Sequence, residues 1–252
     1  MDQRQLGAWG PWVSTIGFGA FKIGRNEQTK YGAEYALPDD EDVSRLLNGL
    51  LDRGVNYIDT APAYGLSEER IGKAIATRRG EFVLSTKVGE TFENGVSTYD
   101  FSSGAIERSI ERSLLRLQTD KLDVVLIHCN ADDLAIQRET DAIRTLQRLR
   151  EQHIIGQIGL SAKTVEGAQA GLTWADVLMV EYHLADRSQE EVIAAAHSAG
   201  IGVIVKKALA SGKLPASEGL RFVLANPGVS TVVVGTLNAH HMQQNLDAVS
   251  AL

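Results

Sequence analysis

Short apolar runs alternate with amphipathic helical patterns along this chain, and no other feature restricts its fold as strongly. The runs are rich in β-branched residues and bounded by Gly, Pro or Asn, which is typical of strands. Eight strands are predicted, at residues 13–18, 55–58, 82–86, 122–127, 155–160, 177–180, 201–205 and 229–234. Alternating strands and helices imply a parallel sheet with helical crossovers.

Between the strands, apolar residues recur at helical spacing behind capping residues. Helices are expected from Asp39 or Asp40 to about residue 51, and at residues 67–76, 102–117, 139–151, 165–170, 188–199, 217–225 and 238–249. Eight strand-helix units in 252 residues favour an α/β fold of the closed (β/α)8 TIM barrel type, with residues 1–252 as one domain. No G-x-G-x-x-G follows the first strand, which disfavours a Rossmann domain.

The bulk composition excludes several classes of partner. The net charge is −7 with no basic stripe, so neither nucleic acid nor a membrane surface is an expected partner. No run approaches the roughly 18 apolar residues of a membrane span, and no signal peptide is visible. Cys129 is the single cysteine, which excludes an intrachain disulfide and favours a cytoplasmic location. A monomer or small homo-oligomer is expected, with no metal site.

Polar side chains stand at the ends of three consecutive predicted strands. Asp59 and nearby Tyr64 follow the second strand, Lys87 the third and His128 the fourth. The carboxyl ends of barrel strands meet at one mouth and neighbouring strands lie about 4.8 Å apart, so all four groups can share a pocket. Singly, a buried Asp-Lys pair or a strand-end His is more often structural. Together they predict one catalytic centre.

The chemistry of such a centre follows from ordinary pKa values. A phenol with a pKa near 10 is a poor acid at neutral pH, and an adjacent ammonium lowers that pKa. Lys87 supplies the ammonium, and Asp59 keeps it charged and aimed. His128 donates to a carbonyl oxygen beside Tyr64. The expected product is a polarised carbonyl ready for hydride, with Tyr64 as the general acid.

At these residues the chain resembles the aldo-keto reductase family. The matching segments are Gly54-Val-Asn-Tyr-Ile-Asp-Thr-Ala-Pro-Ala-Tyr-Gly65 with Ser67-Glu-Glu69, Leu84-Ser-Thr-Lys-Val88, Leu122-Asp-Val-Val-Leu-Ile-His128 and Ile158-Gly-Leu-Ser161, within a similarity from about Val13 to Asn245. The resemblance implies a (β/α)8 barrel that reduces aldehydes and ketones with a nicotinamide cofactor, usually NADPH. It makes Asp59, Tyr64, Lys87 and His128 the catalytic tetrad.

The resemblance also implies a set of cofactor contacts. These are Ala20, Phe21, Ser161, Met179, Lys206, Leu209, Ser211, Gly212, Gly235, Thr236, His241, Gln244 and Asn245. Several positions depart from the family pattern: Ala162 replaces Asn, Met179 replaces Gln, and Lys206 replaces the ring that stacks on the nicotinamide. No Lys or Arg for a 2′-phosphate stands near Gly235 or His241. NADPH is the expected cofactor with NADH not excluded, and Gln244 and Asn245 have solvent exposure as their alternative.

The positive charge of Lys206 predicts a difference in affinity between the oxidised and reduced cofactor. A positive charge beside the ring disfavours the charged oxidised nicotinamide more than the neutral reduced one, so NADP⁺ should be held more weakly than NADPH. In the alternative, Lys206 turns away to pair with a carboxylate.

Substrate and function retain alternatives. The substrate is a small carbonyl compound, and the aromatics Tyr31, Tyr35, Phe92, Tyr99 and Phe101 either line its pocket or pack beneath the loops. A second enzyme class is a Schiff-base lyase using Lys87, Lys206 or Lys207. A third interpretation is a nicotinamide-binding regulatory protein with little turnover.

Overall fold

Eight parallel strands close into a barrel in the computed structural model, which describes residues 1–29 and 35–250. In chain order they are β1 (Ile16–Gly19), β2 (Tyr57–Asp59), β3 (Val83–Val88), β4 (Leu122–His128), β5 (Ile155–Ser161), β6 (Val177–Glu181), β7 (Gly202–Lys206) and β8 (Thr231–Val234). Each strand pairs in parallel with the next, and β8 pairs with β1. The predicted TIM barrel is confirmed.

The helices surround this barrel. They are α1 (Phe21–Gly24), α2 (Asp40–Asp52), α3 (Ser67–Ile75), α4 (Ser103–Leu117), α5 (Asp133–Glu139), α6 (Ala142–Glu151), α7 (Val165–Gly171), α8 (Glu190–Ser198), α9 (Ala216–Leu224) and α10 (Ala239–Val249). The predicted helix over 139–151 is wrong at its start. The helix begins at Ala142, and a separate helix, α5, ends at Glu139, with Thr140 and Asp141 between the two. The Asp39 alternative is correct for the cap of α2, since its carboxylate accepts from the Asp42 N–H at 2.7 Å.

Two apolar clusters hold the layers together. The barrel interior contains Tyr57, Val124, Leu126, Met179 and Ile204, together with other inward-facing residues. A larger cluster fills the space between the barrel and its helices. Side chains alternate across a strand, so β2, β3, β4, β6 and β7 each contribute to both clusters, and Val233 of β8 packs against the inner one. This explains why the strands are apolar almost throughout.

An N-terminal hairpin closes the bottom of the barrel. The predicted strand over 13–18 is in fact two: Trp12–Ser14 pairs antiparallel with Gln3–Gln5, and β1 begins at Ile16. Leu6, which is fully buried, belongs to the cluster inside the barrel. Arg4 of this hairpin donates to the carbonyl oxygens of Leu224, Asn226 and Val229, tying the start of the chain to the α9–β8 connection.

A second hairpin lies at the mouth, between the predicted strand over 82–86 and the predicted helix over 102–117, where no strand was expected. Glu90–Glu93 pairs antiparallel with Val96–Tyr99, and we call this pair the mouth hairpin. Its turn is Asn94-Gly95, both with positive φ. Asn-Gly between two short strands is a strong hairpin signal, so the sequence did carry the information.

Within the described residues, no helix combines the length and apolarity that a membrane crossing requires.

Candidate active site

The predicted polar residues stand at the carboxyl ends of the barrel strands. Asp59, His128, Ser161 and Lys206 are each the last residue of their strand. His128 is in register with Ser161 on the adjacent strand. The mouth of the barrel therefore gathers these side chains, as the strand pattern predicted.

Asp59 and Lys87 form a buried ion pair at this mouth. The Lys87 Nζ donates to both Asp59 carboxylate oxygens at 2.7 Å and to the Thr60 carbonyl oxygen at 2.8 Å. The residues are only 3% and 1% exposed. Burial acts to lower the pKa of Lys87, but Asp59 and Tyr64 outweigh it and the pKa lies above its ordinary value. The ammonium is thus kept charged in an apolar setting.

Tyr64 is presented by a tight turn between β2 and α3. Pro62–Tyr64 form one 3₁₀ turn, followed by Gly65 with a φ of 60°. A Cβ on Gly65 would lie 2.4 Å from the Gly24 carbonyl oxygen, so the close contact of the two loops requires glycine. This turn sets Tyr64 above Lys87, whose Nζ lies 4.8 Å from the centre of the phenol ring.

The pKa of Tyr64 differs from the sequence expectation. Burial raises it to about 12, although Lys87 acts to lower it. The expected lowering by Lys87 is present but smaller than the cost of desolvating a phenolate. The phenol therefore holds its proton at neutral pH.

His128 completes the cluster and has an acidic neighbour. Its ring lies 6.0 Å from that of Tyr64 in an edge-on arrangement. The His128 Nδ1 lies 2.9 Å from Oε2 of Glu90, the first residue of the mouth hairpin. This approach is not aligned as a hydrogen bond, so it acts as an electrostatic contact. Burial lowers the pKa of His128, while Glu90 opposes that shift.

One cavity of about 540 Å³ opens at the mouth. Nine predicted site residues line it: Phe21, Asp59, Tyr64, His128, Ser161, Met179, Lys206, Ser211 and Gly235. Lys87 lies behind this wall, against Asp59. Three of the predicted acid-base residues and one part of the predicted cofactor set therefore face the same space.

Lys206 points across the mouth toward β5. Its Nζ donates to the Ser161 hydroxyl at 2.9 Å and to the Ala162 carbonyl at 2.7 Å. Burial, reinforced by the cations Lys163, Lys207 and Lys87, lowers the pKa of Lys206 to about 7. The carboxylate pairing considered for Lys206 is made instead by Lys207, whose Nζ contacts Glu181.

The remaining predicted cofactor residues lie away from the cavity wall. They are Ala20, Leu209, Gly212, Thr236, His241, Gln244 and Asn245. On α10, Gln244 and His241 are exposed, whereas Asn245 is only 6% exposed. Gln244 is thus accessible from solvent, whereas Asn245 packs against the protein, and the predicted cofactor contacts of both stay predictions.

The aromatic candidates divide in the same way. Tyr99 lines the cavity. Phe101 stacks on Tyr99 with the ring centres 6.3 Å apart, and the centre of the Phe92 ring lies 3.3 Å from the Arg25 guanidinium. The Tyr35 hydroxyl contacts the Arg25 carbonyl oxygen. Tyr31 lies outside the described residues.

Sequence reasoning missed several charged residues of the wall, namely Arg25, Glu90, Lys163 and Glu181. Glu181 ends a strand, and the strand-end pattern that identified His128 applies to it equally. Glu90 begins the mouth hairpin, for which the turn signal at Asn94-Gly95 was the sequence indication, and Arg25 directly follows α1.

Comparison with known proteins identifies the class that this fold and site define. The sequence model of the Aldo/keto reductase family matches residues 15–219, and the chain belongs to that family. A solved structure from Pseudomonas aeruginosa, assigned to the aldo-keto reductases, is 40% identical with a TM-score of 0.91, covering 99% of this chain and 94% of that one.

Two further relatives extend the comparison. The holo form of aldo-keto reductase AKR11C1 from Bacillus halodurans is 28% identical with a TM-score of 0.85, over 100% of this chain and 92% of its own. L-galactose dehydrogenase of Arabidopsis thaliana is 27% identical over 100% of this chain and 89% of its length. The protein is therefore an oxidoreductase of a family that interconverts carbonyls and alcohols with nicotinamide cofactors.

Proposed function

We propose that the protein reduces an aldehyde or ketone to the alcohol, with Tyr64 as the general acid and NADPH as the working cofactor. The observation that carries the proposal is the buried Asp59–Lys87 pair directly beneath Tyr64, in a cavity that His128 also lines. A merely structural ion pair gives no reason for a phenol and an imidazole to share its cavity.

Each residue has a defined part in the proton transfer. Tyr64, with a pKa near 12, is fully protonated at neutral pH and holds the proton that the developing alkoxide needs. The Lys87 ammonium, 4.8 Å from the ring centre, stabilises the phenolate left behind. Asp59 keeps this ammonium aimed through two hydrogen bonds of 2.7 Å. His128 orients and polarises the carbonyl.

The cavity beyond Tyr64 suits a nicotinamide nucleotide, which when bound supplies the hydride. The loop after β7 carries three non-glycine residues with positive φ, Lys207, Ala210 and Ser211. Such strained backbone clusters at ligand sites, and turns of this kind aim N–H groups at anions. We assign this loop, with Leu209 and Gly212, to the pyrophosphate. Phe21, Ser161, Met179 and Lys206 are assigned to the nicotinamide end of the cavity, with Ala20 behind them.

The adenosine end is assigned to Gly235, Thr236, His241, Gln244 and Asn245. A neutral imidazole holds a phosphate less firmly than an Arg fork. The preference for NADPH over NADH should therefore be modest.

The substrate we propose is a small hydroxylated carbonyl compound. The wall opposite the cofactor residues mixes the Tyr99 ring with the polar groups of Arg25, Gln28, Glu90 and Ser97. This polar lining matches hydroxyl-bearing substrates better than purely apolar ones. Sugars enter the screen because the similar L-galactose dehydrogenase acts on one by its name.

The test is titration with NADPH and NADH by fluorescence, followed by turnover over a panel of aldehydes, ketones and sugars. We expect micromolar binding and NADPH consumption with at least one carbonyl compound. Failure of both nucleotides to bind would refute the proposal. Binding without turnover across the panel would favour the regulatory interpretation instead.

A Schiff-base lyase is the second candidate, and one observation favours it. Lys206 lines the cavity with a pKa of about 7, so much of it is a neutral amine at physiological pH. Lys87 and Lys207 are both ion-paired and unsuited. Borohydride trapping of a carbonyl compound on Lys206, measured by mass spectrometry with Lys206→Met as control, distinguishes the two candidates.

A further inference from the structure

Glu90 is held in place by the mouth hairpin that it begins. Its Oε1 accepts from the Ser97 hydroxyl at 2.7 Å, and Tyr99 is its partner in register on the opposite strand. The Glu90 side chain is 11% exposed, and the His128 side chain it faces is 13% exposed. The Ser97 hydrogen bond and the strand pairing with Tyr99 thus hold the Glu90 carboxylate beside the His128 ring.

The backbone before Glu90 is built for this contact. Gly89 has a φ of 101°, and a Cβ there would lie 2.1 Å from the Phe101 ring. No other residue fits such a position without displacing the ring. The chain therefore turns sharply at Gly89, between the strand of Lys87 and the carboxylate of Glu90.

The position of this carboxylate dictates where the imidazole carries its proton. An ionised carboxylate accepts but cannot donate, so a negative charge 2.9 Å from Nδ1 favours a proton on that nitrogen. A neutral imidazole carries a proton on only one of its two nitrogens. With Nδ1 protonated, Nε2 is left as an acceptor, and it becomes a donor only when the ring takes a second proton.

We propose that Glu90 is a positioning residue that fixes the Nδ1–H form of His128, so that His128 donates to a carbonyl when charged and accepts from an alcohol hydroxyl when neutral. This inference rests on the proposed function. Its consequence is that the charge of the His128 ring decides whether the carbonyl compound or the alcohol is bound more tightly.

Several charged groups face His128, and their effects on its pKa must be distinguished from the effect of Glu90. Burial lowers the pKa of His128, as do Lys87 on β3 and Lys206 on β7, while Glu90 opposes them. Burial acts to raise the pKa of Glu90, but His128 and Ser97 hold it at about 2, so this carboxylate is ionised from pH 5 to 9. Lys206 titrates near pH 7, so activity profiles alone cannot isolate His128.

The primary experiment therefore reads the imidazole directly. Two-dimensional ¹⁵N NMR of the histidine rings gives both tautomer and pKa, with the His128 signals assigned from their loss in His128→Asn. We expect the Nδ1–H form in the wild type, and in Glu90→Gln a His128 pKa lower by about one unit, a tenfold change in protonation. Glu93→Gln, an exposed site in the same hairpin, is the matched control and should leave the pKa unchanged.

The second readout is kcat/KM in both directions between pH 5 and 9. For carbonyl reduction it should fall as pH rises through the His128 pKa, and for alcohol oxidation it should rise. Glu90→Gln should move both limbs to lower pH and reduce carbonyl reduction at pH 7.5 by about tenfold, while Glu90→Asp restores part of it.

The outcomes separate this inference from the proposed function. An Nε2–H tautomer, or a His128 pKa equal in the wild type and Glu90→Gln, overturns the role of Glu90 even in an active enzyme. A shifted pKa with no turnover under any condition supports the effect of Glu90 on the ring but overturns its catalytic use, together with the proposed function.

Discussion

The two sides of the barrel mouth are built differently. On the side of β2 and β3, Asp59 and Lys87 are almost fully buried and hold each other through paired 2.7 Å hydrogen bonds. On the side of β5 and β7, Lys206 bonds to a hydroxyl and a carbonyl, and a loop with three left-handed non-glycine residues follows it.

The difference teaches where this chain is constrained. A buried charge pair fails if either partner is lost, so the acid-base side tolerates little change. On the other side Lys206 is held by neutral partners, Ser161 and the Ala162 carbonyl, so a change there does not remove the counter-charge of a buried ion pair. We expect mutations on the first side to abolish activity and those on the second to tune cofactor use.

The largest effect is expected for Tyr64→Phe. Removing the phenolic proton should lower kcat roughly 10²- to 10⁴-fold. NADPH affinity should stay within a factor of about two, because the ring and its packing remain. Stopped-flow or steady-state kinetics with fluorescence titration measures both quantities.

The matched control for that change is Tyr182→Phe, which removes a hydroxyl bonded to Glu190 outside the cavity. It should leave kcat unaltered. Wild-type turnover in Tyr64→Phe would contradict the assignment of the general acid and favour a different proton source.

Next in size is Asp59→Asn. The change leaves the Lys87 ammonium buried without its counter-charge, which costs about 3–5 kcal/mol of unfolding free energy. Urea denaturation measures this loss, and turnover should fall with it. Glu41→Gln, which breaks an exposed pair with Arg45, should leave the denaturation midpoint where it was. Equal midpoints for Asp59→Asn and the wild type would show that the two sides of the mouth are alike.

The third prediction concerns Lys206. While charged, it should weaken NADP⁺ relative to NADPH by on the order of tenfold. Because its pKa is about 7, the discrimination should be present near pH 6 and largely gone near pH 8.5. Lys206→Tyr should remove it at both pH values. Dissociation constants that are equal for the two forms, or that this substitution leaves unchanged, would rule the effect out.

The smallest effect is expected at the caps. Asn238 caps α10 by accepting from the N–H groups of His240 and His241, and Asp39 caps α2 in the same way. Either change to Ala should cost about 1 kcal/mol of stability. Only Asn238→Ala should also weaken NADPH binding, since α10 carries the assigned adenosine residues. Equal loss of affinity in both variants would argue against placing the adenosine there.

The sequence predicted the barrel and the residues that gather at its mouth because both follow from periodicity. Val124 and Leu126 belong to a continuous apolar strand, and His128 ends it. Once eight such strands are recognised, the barrel rules bring their ends together. These inferences need no knowledge of any side-chain contact.

The rest depended on distances that periodicity does not encode. The pKa of Tyr64 is the balance of burial against the Lys87 charge, and its sign cannot be obtained without the extent of burial. Likewise, Glu90 meets His128 only because Gly89 turns the chain. Lys206 and Lys207 are neighbours in sequence, and only the structure distinguishes which one pairs with Glu181.

The tie between Arg4 and the α9–β8 connection has a consequence for how the protein is made. Its hydrogen bonds join residues more than 200 positions apart, and the β8–β1 pairing beside it spans a similar separation. During synthesis, one edge of β1 therefore has no partner until β8, which begins at Thr231, has left the ribosome. An open strand edge is a site for pairing with other chains. Nascent chains stalled before residue 231 should accordingly depend most on chaperones.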